Sequence, residues 1–478
     1  MLVLRGYYSE VANSLAGSIN LISSPDGYIA GVIKNDMPQY AVLINRLHDL
    51  ENRPQDTIRT MIIHGLSTNS IYYLISLGGA DLYTSTFLKM YQKLCKNPAN
   101  EDRLCRDKSF IQEVSRIDPE GKYTTDFYLR LANFNRLTEV LQGQESYFNT
   151  ILTNALTRED NDEMLRNSVL LTSTMQSIFS QSSLNRYKEF TENLLIDNFN
   201  SARSNKDKLR ESIFGYFIKL NYNNFAARKQ GAIRIASLLP EIQEPLVPAE
   251  FLSDNKVTAK LYFYEDEEWY KITRDWLNQD GFVKTTINEK TTRHTKPYNG
   301  KTLEIVVTTD NSDVEESINS PDVDIIAHRG HSFHLIGDTF TEYIESNSKK
   351  LLYLGSCGSF GSVPQLQKQF PNAYFIADED TGRGADNHRI LISLMKQIAD
   401  RERNWNKIRE STYRSLGEIQ GIVWPFEKAL LLYNFIQKYT GMSIETLLEK
   451  QYGYVPEDLF LVMDRCEIQQ VPYLENLS

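Results

Sequence analysis

Three of the seven histidines, His328, His331 and His334, fall within the stretch VDIIAHRGHSFH, and Cys357 follows in KLLYLGSCGSFGS. Each group comes directly after a short apolar run, 323–327 before the histidines and 351–355 before the cysteine. A thiol is a strong nucleophile only as its thiolate, and a neighbouring imidazole both favours that form and returns the proton to a leaving amine. Gly355, Ser356, Gly358 and Ser359 flank the thiol. Such small residues let a substrate backbone approach closely and leave amide N–H groups free to face a developing oxyanion. This points to covalent chemistry by a Cys–His pair; the plainer alternative is an inert buried thiol with histidines lining a turn.

The pair works only if two strand ends bring it together. Beyond residue 257 short apolar segments alternate with amphipathic ones: strands are expected at 257–264, 303–308, 323–327, 351–355 and 374–377. Helices are expected at 266–278, 310–317, 338–347, 365–370 and 385–399. That alternation implies an α/β domain with a mostly parallel sheet and flanking helices, in which function sits at the carboxyl ends of the strands. The segment 1–239 reads as an all-α, solenoid-like domain, with apolar residues three and four apart such as Ile71, Leu74 and Ile75, or Ile213, Phe214, Phe217 and Ile218. The groups Ser67-Thr68-Asn69-Ser70 and Thr124-Thr125-Asp126 are expected helix starts. No fixed repeat period emerges. The stretch 240–256, opening with PEIQEPLVPAE, reads as a linker because proline fixes φ and removes a donor. The remainder, 401–478, is expected to be a helical extension with Ala429, Leu430, Leu431, Leu432, Phe435 and Ile436 as its buried stripe.

The 478 residues are 41% apolar and 11% aromatic, enough to build more than one core and too much for a disordered chain. A net charge of −10 argues against a general nucleic-acid or anionic-membrane binder. No run approaches the roughly 18 apolar residues of a membrane span, and the first residues lack the pattern of a secretory signal. Cys95, Cys105, Cys357 and Cys466 do not make a disulfide framework and include no CxxC pair, which leans towards a reduced, cytoplasmic compartment. Export stays open if the chain is a piece of something longer.

The Ala327-His328-Arg329-Gly330-His331-Ser332 stretch, followed by a second apolar strand ending in small residues and Cys357, resembles the caspase-like cysteine peptidase clan. It is most like the metacaspase, clostripain and gingipain type, over about residues 257–400. The resemblance implies a cysteine endopeptidase with Cys357 as nucleophile and His331 as general base and acid. It also implies an oxyanion hole from backbone amides at Gly330, Ser332 and Cys357, and no metal or organic cofactor. Of the caspase signature Q-A-C-[RQG]-G, with its His roughly 50 residues upstream, only Cys357 and Gly358 match. Cys357 follows His331 by 26 residues, and Ser332 stands where metacaspases carry Gly. These departures mark a divergent member and leave His328 as an alternative base.

Members of this clan choose their substrates largely through a charged or polar pocket for the P1 side chain. Asp378 and Asp380 at the end of the 374–377 strand lean towards a basic P1 residue, whereas Arg383 would suit an acidic one. The plainer reading is a solvated loop with Asp386 as a helix N-cap. The expected partner is a protein or peptide substrate, with a protein partner conceivable at the N-terminal helices and none among nucleic acids. Competing readings are a catalytically inactive scaffold or interaction module and a transpeptidase using the same dyad. The three histidines match no common zinc spacing. The Gly-rich run at 355–361 lacks the lysine of a phosphate-binding loop. Ile62-Ile63-His64-Gly65 mimics the apolar-His-Gly pattern in helical surroundings without a partner cysteine.

Overall fold

The structure is a computed structural model, and it describes residues 2–23, 30–50, 57–78, 82–95, 114–118, 123–133, 136–140, 145–157, 160–180, 185–225, 229–242, 246–264, 267–330, 334–336, 338–341, 344, 346, 348–378, 382–416 and 426–452. The chain divides into two compact units, one of residues 1–191 with 243–431 and the other of 192–242 with 432–478. The division falls within the helices Asn185–Ser204 and Phe426–Thr440 and, between them, at Ile242/Gln243 inside the proline-containing stretch 240–256. That stretch is tied down on its own account, because Val247 N donates to Arg403 O and Leu246 bridges Asn404.

The first unit holds a seven-stranded mixed sheet in the order β2-β3-β4-β1-β5-β6-β7. The strands are β1 Lys256–Tyr262, β2 Val283–Thr286, β3 Thr291–Tyr298, β4 Lys301–Thr308, β5 Ile325–His328, β6 Leu351–Leu354 and β7 Tyr374–Ala377. From β4 to β7 all neighbours are parallel, and β2 and β3 add an antiparallel edge. The four residues of β5, and likewise of β6, are all buried, as expected for short parallel strands covered on both faces. From β1 the chain builds first towards β4 and then, on the other side, towards β5, β6 and β7, which makes the carboxyl ends around β1 and β5 the topological switch point.

The expected strands and most of the expected helices are present: Glu267–Gln279, Val363–Gln369 and Gly384–Ala399 lie within two residues of their sequence positions, whereas Val314–Asn319 begins four residues late. Two differences stand out. The β2–β3 hairpin escaped notice because its residues are largely polar and β2 is exposed throughout, so no apolar alternation marks it. The helix expected at 338–347 is not found among its described residues, where Ile336 bridges Phe340 and turns replace helical bonding.

Among the described residues from 2 to 238 every element is helical. Ser67 caps the helix Thr68–Leu77 by accepting from Ser70 N, and Ile71, Leu74 and Ile75 form its buried face. The helix Asn161–Ser180 packs on Val363–Gln369, the helix that follows Cys357. In the second unit Lys208–Asn221 packs on Gln230–Leu238 and on Ile444–Tyr452. There Glu211, 1% exposed, accepts from Lys208 Nζ at 2.6 Å and Tyr439 Oη at 2.7 Å. Leu432, Phe435 and Ile436 of the expected C-terminal stripe are buried, whereas the side chains of Ala429 and Leu430 lie outside the described residues. Cys95 is disulfide-bonded, with a partner outside the described residues. The reduced-compartment preference, drawn from the low cysteine count, did not anticipate that bond. Among the described residues no helix is long and apolar enough to cross a membrane.

His294 on β3 is fully buried, shares a hydrogen bond with Thr292 Oγ1 through Nε2, and leaves Nδ1 without a hydrogen-bond partner. Burial, helped by the positive charges of Arg274 and Lys284, pushes it down from 6.5 to about 4. The unfolded chain therefore binds the extra proton more readily, so His294 withdraws stability as pH falls from about 6.5 to about 4 and imposes no such penalty above that window. The variant His294→Leu is expected to lose less thermal stability than wild type between about pH 7 and about pH 4.5. Equal losses in the two melting curves would show that the buried imidazole is not the cause.

Candidate active site

Parallel pairing sets His328, the last residue of β5, opposite Leu354, the last residue of β6. The two strands stay tied one step further, where Gly355 N donates to His328 O at 3.0 Å, and Arg329 N donates to Tyr262 O of β1 at 2.8 Å. Cys357 follows on a tight turn begun by the Ser356 N–H donating to Leu354 O at 2.9 Å. Gly358 has φ +61°, the left-handed conformation that suits glycine, and it turns the chain into the 3-10 helix Ser359–Ser362. Ser359 secures the turn: its hydroxyl donates to Leu354 O at 2.6 Å and accepts from Asp378 N at 3.0 Å, joining the ends of β6 and β7. Phe360 N adds a bond to Asp378 O at 3.1 Å.

The Cys357 thiol is not in a disulfide and is half-buried, with Gly382 O 4.0 Å from its sulfur. Gly382 N–H donates to its sulfur across 3.3 Å. Gly382 can come this close only because it lacks a side chain. A Cβ there would lie 2.7 Å from Asp378 Oδ2, 3.0 Å from Ser356 C and 3.1 Å from Cys357 N. A side chain at 382 would thus press on the Ser356–Cys357 peptide.

Beneath this turn is a buried polar network. The Arg329 guanidinium donates through Nη2 to Gly384 O at 3.1 Å, and its Nη1 lies so close under Gly355 that a Cβ on that glycine would meet it at 2.6 Å. Burial draws the Arg329 pKa down, while the Tyr353 and Asp378 charges favour its charged form. Asn387 links the parts, donating through Nδ2 to Gly355 O and to Asp378 Oδ2, each at 3.2 Å, and accepting from Tyr353 Oη at 2.7 Å. Burial foremost, with the Asp378 charge, pushes the Tyr353 hydroxyl well above its ordinary range.

The sequence candidates are placed as follows. His328 is wholly buried, bonded through Nδ1 to Thr339 Oγ1 at 2.9 Å, with Gly330 against the Nε2 edge of its ring. In that position it is part of the sheet end. His331 and Ser332 lie outside the described residues, as does Asp380. Asp378 is 1% exposed and turned towards Asn387, so its carboxylate belongs to the network below the turn and does not line an open pocket. Arg383 is exposed and is itself the N-cap residue of Gly384–Ala399, without a side-chain capping bond; Asp386 sits in the first turn instead of at the cap. His334 pairs through Nδ1 with Asp338 at 2.6 Å and packs on the Tyr264 ring at 4.2 Å. Among the described residues no group of three or more His, Cys, Asp or Glu side chains could hold a metal ion.

Sequence reading missed Gly382, Asn387, Arg329 and Trp269. The run Gly382-Arg383-Gly384 straight after a strand was the available signal for the first, since paired glycines mark a close backbone approach. Trp269, 39% exposed on the helix Glu267–Gln279, covers Gly384 face-on. The chain matches no family model, no curated protein and no solved structure.

A Cβ on Gly384 would fall 2.3 Å from Trp269 Cζ3, well inside contact distance. Gly384→Ala is therefore expected to displace the indole, shift tryptophan emission, and lower stability by about 1–3 kcal/mol. Emission and melting temperature both matching wild type would contradict this packing.

Proposed function

We propose that the chain is a cysteine endopeptidase of the caspase-like type, acting through Cys357 and His331. The observation that carries the reading is a half-exposed thiol, not in a disulfide, just after the carboxyl end of an interior parallel strand, with an amide N–H directed at its sulfur. The neighbouring strand delivers Arg329 and Gly330, one residue before His331. His331 is preferred to His328 as the base because His328 is buried and already engaged by Thr339.

The reaction follows from these groups. The Cys357 thiolate attacks the scissile carbonyl carbon, and the carbonyl electrons move onto oxygen, where the Cys357 amide and those around Gly330 and Ser332 receive the charge. Collapse of that intermediate expels the amine, which takes its proton from the His331 imidazolium. Water, deprotonated by the neutral His331, then cleaves the thioester and regenerates the thiol. No metal or organic cofactor enters these steps. Of the acidic groups that lean towards a basic P1 residue, Asp380 is the one left to test, since Asp378 is turned inward.

Labelling with peptide acyloxymethyl ketones bearing Arg, Lys, Asp or Asn at P1 tests the proposal. A mass increase on Cys357 is expected in wild type and His328→Gln, and is expected to be lost in Cys357→Ala and cut by at least about 100-fold in rate in His331→Ala. If no probe reacts while a small alkylating agent reaches Cys357, the inactive-scaffold reading takes precedence. Product analysis with an added amine separates hydrolysis from transpeptidation.

A further inference from the structure

We propose that the Gly382 amide holds the Cys357 sulfur in its ionised, attack-ready state, and that Arg329, Asn387 and Tyr353 are positioning residues that fix this amide from beneath. The inference rests on the thiol-peptidase reading for its catalytic meaning, but its chemistry concerns the sulfur alone.

Four observations converge. Gly382 N lies 3.3 Å from Sγ with its hydrogen directed at the sulfur, and a thiolate is the better acceptor for such a donor. Gly382 sits where a Cβ would lie 3.0 Å from Ser356 C and 3.1 Å from Cys357 N, so the position admits no side chain without displacing the loop. The chain just beyond it is held at two consecutive carbonyls: Asn387 N donates to Arg383 O at 2.9 Å, and Arg329 Nη2 donates to Gly384 O at 3.1 Å. The residue that opens the same loop, Asp378, is gripped by Asn387 Nδ2, whose orientation is fixed in turn by the Tyr353 hydroxyl on Oδ1. Arg329 sits between two histidines of the candidate site in sequence, yet its guanidinium points into the core and onto the loop that carries Gly382. That placement suits a positioning role and not contact with substrate.

Alkylation of Cys357 by iodoacetamide reports on the sulfur without requiring peptidase activity. An S–C bond forms, iodide leaves, and the rate tracks the thiolate fraction, so the pH at half-maximal rate reads the ionisation directly. In wild type this midpoint is expected about one pH unit or more below the ordinary thiol value of about 8.5. Gly382→Ala, whose methyl group must push the loop off the Ser356–Cys357 peptide, is expected to raise the midpoint by about one unit. Tyr353→Phe removes only a neutral hydroxyl that is bonded to Asn387, so it can act on the sulfur only through Asn387, which holds the loop at Asp378 and the cysteine turn at Gly355 O. A rise of about half a unit is expected there, with the melting curve showing an intact fold.

A wild-type midpoint at about 8.5, or a folded Gly382→Ala variant with an unmoved midpoint, overturns the proposal. A Tyr353→Phe variant that melts earlier but keeps the wild-type midpoint reduces the network to a structural role and overturns its positioning part. Should Gly382→Ala fail to fold, Tyr353→Phe decides alone. The two readings also separate cleanly. Ketone labelling of a thiol with an ordinary midpoint keeps the peptidase and removes this inference, whereas a low midpoint without ketone labelling does the reverse.

Discussion

The parallel register of β5 against β6 is the constraint on which the rest depends. With His328 opposite Leu354 and Gly355 N bonded to His328 O, the chains leaving the two strands start side by side. Two residues after Gly355 comes Cys357, and two after Arg329 comes His331. A slip of one residue would turn Leu354 or His328 to the opposite face of the sheet and separate the two turns, because strand side chains alternate with a period of two. Full burial of both strands makes such a slip expensive. Hydrophobic packing in the sheet is thus what brings the polar chemistry together.

The network under the turn illustrates a different economy. A guanidinium buried as deeply as that of Arg329 is held at a large desolvation cost, and replacing such groups by apolar ones is often neutral or stabilising. Arg329 Nη1 and Ser356 Oγ are buried without hydrogen-bond partners, each a defect of about 1–3 kcal/mol. Stability alone does not account for this arrangement. Its donors and acceptors instead have directions: Arg329 onto Gly384 O, Asn387 onto Gly355 O and Asp378, Tyr353 onto Asn387. Apolar side chains could fill the same volume but could not define where the Gly382 amide points.

The sheet was legible in the sequence because parallel strands are continuous apolar runs, as in LLYL and YFIA, set between amphipathic helices. Cys357 was legible as a candidate nucleophile for the same reason, standing just after such a run. The hairpin of β2 and β3 was not, since a solvated edge needs no apolar pattern to pair. Asp378 was misjudged in role: acidic residues after a strand usually face water, and only the third dimension reveals Asn387 from the next helix receiving its carboxylate. Arg329 was hidden by its neighbours, because between two histidines its charge is most simply read as part of a solvated turn. What sequence conveys poorly is the direction of a side chain whose partners are 25 or more residues away, as Gly384 is from Arg329.

On the thiol-peptidase reading, an amide at the sulfur suits a nucleophile, and a much stronger grip would be counterproductive. Lowering a thiol's ionisation midpoint by one unit multiplies the thiolate present at neutral pH by about tenfold when little is ionised to begin with. The same change lowers the intrinsic nucleophilicity of each thiolate by about threefold, for a Brønsted slope near 0.45. The net gain is about threefold for the first unit and vanishes once most of the sulfur is ionised, after which each further donor only slows attack. One N–H at 3.3 Å, from a residue without a side chain, fits the favourable part of that balance.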